Sequence, residues 1–582
     1  MSETSRTTNR WWTALSLRRT TYLSQREGQV ITVLALVIGV LTGIAVVAFI
    51  LVTERLGMRL YPVGSSAWRR VLIPVLGSLG AGYLLARYFP NARGSGVPQT
   101  KAALFARDGV ITARTTLGKF LCTSLTLASG IPLGREGPAV QVGGGIASVL
   151  GRHLGLNSEQ VKKLIPAGAA AAIAAAFNTP LAAVMFSLEE IVGDLHSPVM
   201  GAAVLASASS WLTLRLLLGN DPLFKVPQYQ LVHPLEFGIY AVLGVAGGLV
   251  SVAFTKLLLM TRERFLRFPA KTIWRQPAAG GLLVGLMGWA VPQVLGVGYG
   301  YVGEVLNTGM ALKVMALLVV LKLVAVATSY GSGNAGGIFG PSLFIGAMLG
   351  GTVGSVAHRL LPGQTATPGA YALVGMGAVF AGVMRAPMTS VLMIFETTRD
   401  YAVIVPLMIS NLVSLFISRR LQRESIYDVL ALQDGIHLPT AETRNQREGR
   451  HVSRAMRPAT EVLKAELTVG EAFEQVRSSE LRVWPVIDER GLAGVVGRPT
   501  IERELAAGAA SKPIGELVDP RNFPHVHADQ PLDLALNRMG ETGLDLLPVV
   551  SRANVHKLEG IITLRDVLGS YGFRSQNKES QT

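Results

Sequence analysis

Residues Val30 to Thr53 form an uncharged run of 24 positions. As a helix at about 1.5 Å per residue it would span roughly 36 Å, enough to cross the ~30 Å hydrocarbon core of a bilayer. Further uncharged runs occupy Val71–Ala86, Leu164–Leu188, Leu195–Leu214, Gly238–Thr255, Gln276–Gly303, Leu323–Ala357, Leu361–Met384 and Tyr401–Ser418. The pattern predicts membrane segments of very uneven length. Several are bounded or cut by Gly and Pro clusters: Gly94-Ser95-Gly96-Val97-Pro98, Ser129-Gly130-Ile131-Pro132, Gly134-Arg135-Glu136-Gly137-Pro138, and Gly333 through Pro341. Such clusters break helices. A broken backbone at membrane depth is tolerated only inside protein or along a watery cavity, which points to a transport pathway.

The membrane part repeats itself. Setting Gly134 on Gly337 gives an offset of 203 that also pairs Lys119 with Lys322, Ser129 with Ser332, Gly137 with Gly340, Pro138 with Pro341 and Gly143 with Gly346. Further along, an offset of 207 pairs Gly168 with Gly375, Pro180 with Pro387 and Glu189 with Glu396. Interrupted helices in corresponding positions of two halves are the strongest sequence pointer to a transporter's binding site. The orientation of one half relative to the other stays open.

After Tyr427 the pattern becomes that of a soluble module. Beyond a polar linker, Trp484-Pro485-Val486-Ile487-Asp488 with Gly494-Val495-Val496, and Leu547-Pro548-Val549-Val550 with Gly560-Ile561-Ile562, each precede a helix-like run, predicting a tandem α/β module. The expected boundaries are a basic N-terminus over 1–28, a membrane domain over 29–430, a linker over 431–450, two small domains over 451–510 and 511–572, and a polar tail over 573–582.

Composition agrees with a membrane protein: 49% of residues are hydrophobic and 16% charged, against about 25% charged in soluble domains. The net charge of +16 falls mainly in termini and short connections, where it reads as orientation rather than as a nucleic-acid surface. Arg6, Arg10, Arg18, Arg19 and Arg26 before the first segment, and Arg419, Arg420 and Arg423 after the last, put both ends in the cytoplasm. The single Cys122 excludes an internal disulfide or a Cys-rich metal site. His153, His196, His233 and His358 lack metal-ligand spacing, and no nucleophile stands beside a base, so neither a metal nor an enzymatic function is expected.

The chemistry lies in the broken helices. Several helix N-termini aimed at one place make an anion site without a full positive charge. Glu136, flanked by Arg135 and Gly137, carries a charge that costs about 2.5–3.5 kcal/mol at membrane depth, a functional candidate unless Arg135 neutralises it. Glu189 and Glu190 close the uncharged run from Leu164, either as a solvated helix end or as functional carboxylates.

These motifs together resemble the CLC family of chloride channels and proton-coupled chloride transporters over roughly residues 30 to 430. Gly94-Ser95-Gly96-Val97-Pro98 is similar to the family's GSGIP with Val for Ile, Gly134 to Pro138 matches GREGP, Gly337-Ile338-Phe339-Gly340-Pro341 matches GGIFxP, and Ser425-Ile426-Tyr427 matches the late tyrosine region. The resemblance implies an all-α polytopic membrane domain of two related halves with broken helices, joined to a small cytoplasmic α/β pair of CBS domains. It implies an anion site from Ser95, Gly96, Ile338, Phe339 and Tyr427, with Glu136 as gating glutamate. Glu190 would be the internal proton-transfer residue, the pattern of exchangers rather than channels. In the second CBS copy Thr563 and Asp566 fit an adenine-nucleotide site, whereas the first copy has Gly497 and Thr500 there. The implied protein is a homodimer in the cell membrane that exchanges chloride for protons and requires no cofactor. A passive chloride channel of the same fold, and a membrane-anchored nucleotide sensor, remain alternatives.

Overall fold

The uncharged runs become helices, but the Gly and Pro clusters cut them into more pieces than hydropathy alone resolves. The computed structural model describes residues 27–60, 66–219, 223–224, 226, 231–307, 309–439, 450–520 and 522–572. The N-terminal arginines, half of the linker and the C-terminal tail lie outside the described residues.

The first half comprises α1 (Glu27–Leu60), α2 (Ala67–Arg87), α3 (Val97–Ala106), α4 (Ala113–Ala128), α5 (Glu136–His153), α6 (Ser158–Phe177), α7 (Pro180–Phe186) and α8 (Met200–Leu218). The second comprises α9 (Glu236–Leu266), α10 (Gln276–Ala290), α11 (Tyr299–Asn307), α12 (Leu312–Gly331), α13 (Phe339–Leu360), α14 (Pro368–Met384), α15 (Pro387–Thr398) and α16 (Ile404–Leu421), followed by α17 (Ile426–Gln433). Among the described residues, seven helices are long and apolar enough to cross a membrane. The run Leu164–Leu188 is split because Asn178 turns left-handed at the end of α6 (φ 60°) and Pro180 then opens α7. Arg385 and Pro387 do the same between α14 and α15, 207 positions later.

Equivalent residues make equivalent contacts. Lys119 Nζ donates to the carbonyls of Ala92 (2.8 Å) and Gly94 (2.7 Å), and Lys322 Nζ to those of Val294 (3.1 Å) and Gly296 (2.6 Å). Both lysines are fully buried, each held by carbonyls at the end of a short 3-10 turn. Glu396 Oε1 and Oε2 accept from the Leu181 and Ala182 amides at the start of α7 (2.9 and 2.7 Å), while Glu189 Oε2 accepts from the Thr389 amide at the start of α15 (2.9 Å). Each half thus caps a helix of the other, satisfying first-turn donors that have no intrahelical acceptor. At the centre, Gly134 and Gly337 form an antiparallel bridge with both N–H···O distances 2.7 Å. An antiparallel bridge between equivalent residues has a two-fold axis between its strands, so the chain runs in opposite directions where the halves meet.

α6 and α14 are buried nearly all round, while α8, α9 and α16 present apolar side chains outward, including Leu216 (77% exposed) and Phe416 (70%). The α5–α6 crossing is close enough that a Cβ on Gly143 would lie 2.2 Å from the Gly168 carbonyl oxygen. Gly143→Ala is therefore expected to cost roughly 1–3 kcal/mol by overpacking, read as a lower unfolding temperature in detergent, whereas Gly201→Ala, with nothing within 4 Å, should leave it unchanged.

The C-terminal unit, residues 439–582, holds two copies of one pattern. In the first, β1 (Leu463–Lys464) lies parallel to β2 (Val483–Asp488), which pairs antiparallel with β3 (Gly491–Gly497). In the second, Val526 bridges in parallel to Val549 of β4 (Leu546–Val550), which pairs antiparallel with β5 (Leu558–Thr563). Both hairpins shift register at the same place, after Val486 and after Val549. Helices α18 (Val469–Val476) and α19 (Arg498–Ala506) belong to the first copy, α20 (Leu532–Thr542) and α21 (Leu564–Ser570) to the second.

Candidate functional site

The starts of α3, α5, α11 and α13 meet in one buried region. Gly94 and Gly96 adopt φ of 86° and 107°, which side chains rarely tolerate, and this turn brings Ser95 against the start of α5. A Cβ on Gly137 would lie 2.8 Å from Ser95 Oγ. The Ser95 and Tyr427 hydroxyls face each other, both residues are fully buried, and neither hydroxyl has any other polar partner. Buried polar groups are nearly always satisfied, so this pair of hydroxyls suits an acceptor between them. The Ile338 and Phe339 amides open α13, where N–H groups have no intrahelical acceptor. Hydroxyls and helix-start amides together form a donor set suited to an anion. The Phe339 ring packs against Phe186 (5.0 Å between centroids), Phe380 (5.2 Å) and Phe177 (6.3 Å), giving the region an aromatic wall.

Glu136 is fully buried at the start of α5. Its Oε2 accepts from the Gly340 amide of α13 at 3.3 Å, and its Oε1 accepts from the Tyr299 hydroxyl at 2.5 Å. Arg135 does not neutralise it: Arg135 Nη1 bonds Glu54 Oε1 of α1 at 3.1 Å, and its guanidinium lies 5.8 Å from the Tyr299 ring centroid. The carboxylate therefore occupies a place at a helix N-terminus where an anion would be stabilised.

Tyr299 was not singled out from the sequence, although a signal was there. Gly296-Val297-Gly298 repeats Gly94-Ser95-Gly96 at an offset of 202, one short of the offset that aligns the longer motifs. The turn repeats too, with φ of 61° at Gly296 and 90° at Gly298.

Residues 77–419 match the voltage gated chloride channel family, and residues 452–506 and 514–572 each match the CBS domain. The chain belongs to the CLC family. The H(+)/Cl(-) exchange transporter ClcA of Vibrio campbellii is 33% identical over 354 residues, 60% of this chain and 76% of that protein. The crystal structure of a slow cyanobacterial Cl-/H+ antiporter is similar with a TM-score of 0.65 and 26% identity, over 69% of this chain and 97% of its own. A eukaryotic CLC transporter structure covers 92% of this chain and 97% of its own with a TM-score of 0.61, and at 22% identity it shows the fold. These relatives are transporters rather than enzymes.

Within this CLC domain, Glu190 lies in a π-helical turn (Ser187–Val192) that continues α7, and it is 7% exposed. It is not a solvated helix end. Lys101 Nζ of α3 donates to Glu190 Oε1 at 2.9 Å and to Asp428 Oδ1 of α17 at 3.0 Å. Lys101 is buried, whereas the Asp428 side chain is 49% exposed. Neither partner was recognised from the sequence, though Lys101 is the one charge in α3 and Asp428 adjoins Tyr427. Glu189, the adjacent carboxylate, is committed to the α15 start.

In the second CBS copy, Thr563 Oγ1 donates to Asp566 Oδ2 at 2.5 Å, and the Asp566 amide bonds back to Thr563 Oγ1, forming the N-terminal cap of α21. Arg457 Nε lies 3.3 Å from Asp566 Oδ2. These residues line an open groove with Thr460, Arg482 and Arg565.

Proposed function

We propose that this protein exchanges chloride for protons across the cell membrane, each subunit of a homodimer having its own pathway. The observation that carries the reading is Glu136, whose carboxylate is bonded to a helix-start amide in the position an anion would take. In this reading Ser95, Gly96, Ile338, Phe339 and Tyr427 hold the central chloride, Glu136 gates it, and Glu190 passes protons to and from the cytoplasm. The membrane domain extends over 29–430, and the CBS domains over 451–510 and 511–572, with both termini cytoplasmic. Outward apolar positions on α8, α9 and α16 suit lipid or a second subunit.

The test is reconstitution into liposomes with an imposed chloride gradient while external pH is followed. Uphill proton movement supports exchange; chloride flux with no proton movement establishes the passive channel instead. Loss of one buried hydrogen-bonding group to an anion is worth roughly 1.5–3 kcal/mol, so Tyr427→Ala should weaken halide binding by about tenfold or more in calorimetry. Ser95→Pro should move selectivity toward nitrate. Unchanged affinity and selectivity in both variants would move the central site elsewhere.

The CBS pair is the second element of the reading. Thr563 and Asp566, in a groove with Arg457 and Arg482, support one adenine-nucleotide site, with Gly497 in the first copy offering no side-chain hydroxyl.

A further inference from the structure

Resting on the reading of Glu136 as the gate, we propose that Tyr299 is a positioning residue that latches it: its hydroxyl holds the ionised carboxylate against the Gly340 amide, where an anion would be stabilised, and sets how readily chloride displaces it. The hydroxyl donates to Oε1 at 2.5 Å while the Gly340 amide donates to Oε2. The ring is fixed independently of that bond. Phe224 packs edge-on against it with centroids 5.5 Å apart, and Arg135, tied to Glu54, lies over it.

The repeat gives the arrangement a second support. Gly137 and Gly340 are equivalents, and each start of α5 or α13 is faced by the glycine-flanked turn of a broken helix. A Cβ on Gly137 would meet Ser95 Oγ at 2.8 Å; a Cβ on Gly340 would meet Tyr299 Oη and Val297 Cγ1, both at 2.7 Å. In the first turn the hydroxyl belongs to Ser95 itself; in the second, the equivalent position is Val297, and the hydroxyl that reaches the gate comes from Tyr299, the residue that follows the turn and opens α11.

The charged and titratable groups around the carboxylate are few. Arg135 on its own helix is paired with Glu54 of α1, Tyr299 comes from α11, and Tyr427 of α17 lies within electrostatic reach. Lys119 of α4 and Lys322 of α12 are engaged by backbone carbonyls. The phenol is the one of these groups that donates to Glu136. A phenol stabilises the carboxylate more than the neutral acid, so protonation weakens the latch as the gate leaves.

Tyr299→Phe keeps the ring and removes the hydroxyl. In liposomes the pH of half-maximal chloride flux should rise by roughly one unit, the scale of one charge-assisted hydrogen bond. Chloride turnover at neutral pH should rise several-fold, and calorimetry should show tighter chloride binding because the competing carboxylate is held less firmly. Coupling to protons persists because Glu136 remains. In a Glu136→Gln background, Tyr299→Phe should add nothing. Phe224→Leu, which frees the ring but keeps the hydroxyl, should shift the flux profile in the same direction by less. An unmoved profile in both single variants, with Glu136→Gln still flattening it, overturns the latch alone. A Glu136→Gln protein with an intact pH profile overturns the gate reading and the latch with it.

Discussion

Glu136→Ala should leave chloride moving and abolish its coupling to protons. The carboxylate is the only charge bonded to the helix-start amide at Gly340 among the described residues, and its second oxygen is held by Tyr299. In the proposed pathway a chloride held by Ser95 and Tyr427 would have to compete for the same donors. If those bonds hold the carboxylate by roughly 3 kcal/mol, removing it should raise chloride occupancy at the Gly340 amide on the order of a hundredfold. In the proposed exchange, protonation of the carboxylate would free the same position reversibly and so tie proton movement to the passage of chloride. An alanine has no proton to carry. Liposome chloride efflux should therefore become insensitive to pH, while uphill proton movement falls to background. Continued proton pumping in Glu136→Ala would remove this residue from the mechanism. Gly134 makes the arrangement sterically specific, since a Cβ there would sit 2.3 Å from Glu136 Oε2.

How much of this could be read from the sequence depends on whether the signal was local. The four Gly and Pro clusters and the repeat are strings of residues whose backbone demands are visible one by one, so the broken helices, the two halves and Glu136 could be named before any fold was known, while Ser95, Ile338 and Phe339 came with the resemblance to the CLC family. The tandem α/β module was equally legible from two Pro-centred strands. Helix number was not, because uncharged length does not say where a chain turns: Gln276–Gly303 and Leu323–Ala357 each contain an interruption, and α3, α4 and α5 carry charges that disqualify them as apolar runs. The partners of the two glutamates were also hidden. Tyr299 lies 163 positions from Glu136, and Asp428 lies 327 from Lys101. Only the fold joins them. Arg135 shows the opposite failure: adjacency suggested a pair with Glu136, but the side chain turns to Glu54, 81 positions away.

Glu190→Gln is expected to stop proton transport while chloride still moves. In the proposed exchange a proton from the cytoplasm would have to reach Glu136 through an apolar interior, and a path lined by helix N-termini repels cations. The proposed exchange therefore needs a carboxylate off that path, and Glu190 is buried, joined through Lys101 to Asp428, whose side chain reaches solvent. Glutamine keeps the shape and an oxygen that accepts from Lys101, but it does not take up a proton. Removing the cation instead is a poor probe: Lys101→Met leaves Glu190 buried without its counter-charge, a loss of about 3–5 kcal/mol that would confuse misfolding with lost transport. Glu189→Gln is the informative control. Its carboxylate accepts from the Thr389 amide (2.9 Å), the Thr389 hydroxyl (2.8 Å) and the Met388 amide (3.3 Å), so the substitution should cost about 1 kcal/mol of stability as a weakened helix cap and leave coupling in place. Both variants are measured in the same liposomes, with chloride efflux and external pH recorded together. Loss of proton movement in Glu190→Gln but not in Glu189→Gln makes Glu190 the internal proton station. If both variants still couple, the proton takes another route; if the unmodified protein never couples, the channel reading replaces the exchanger.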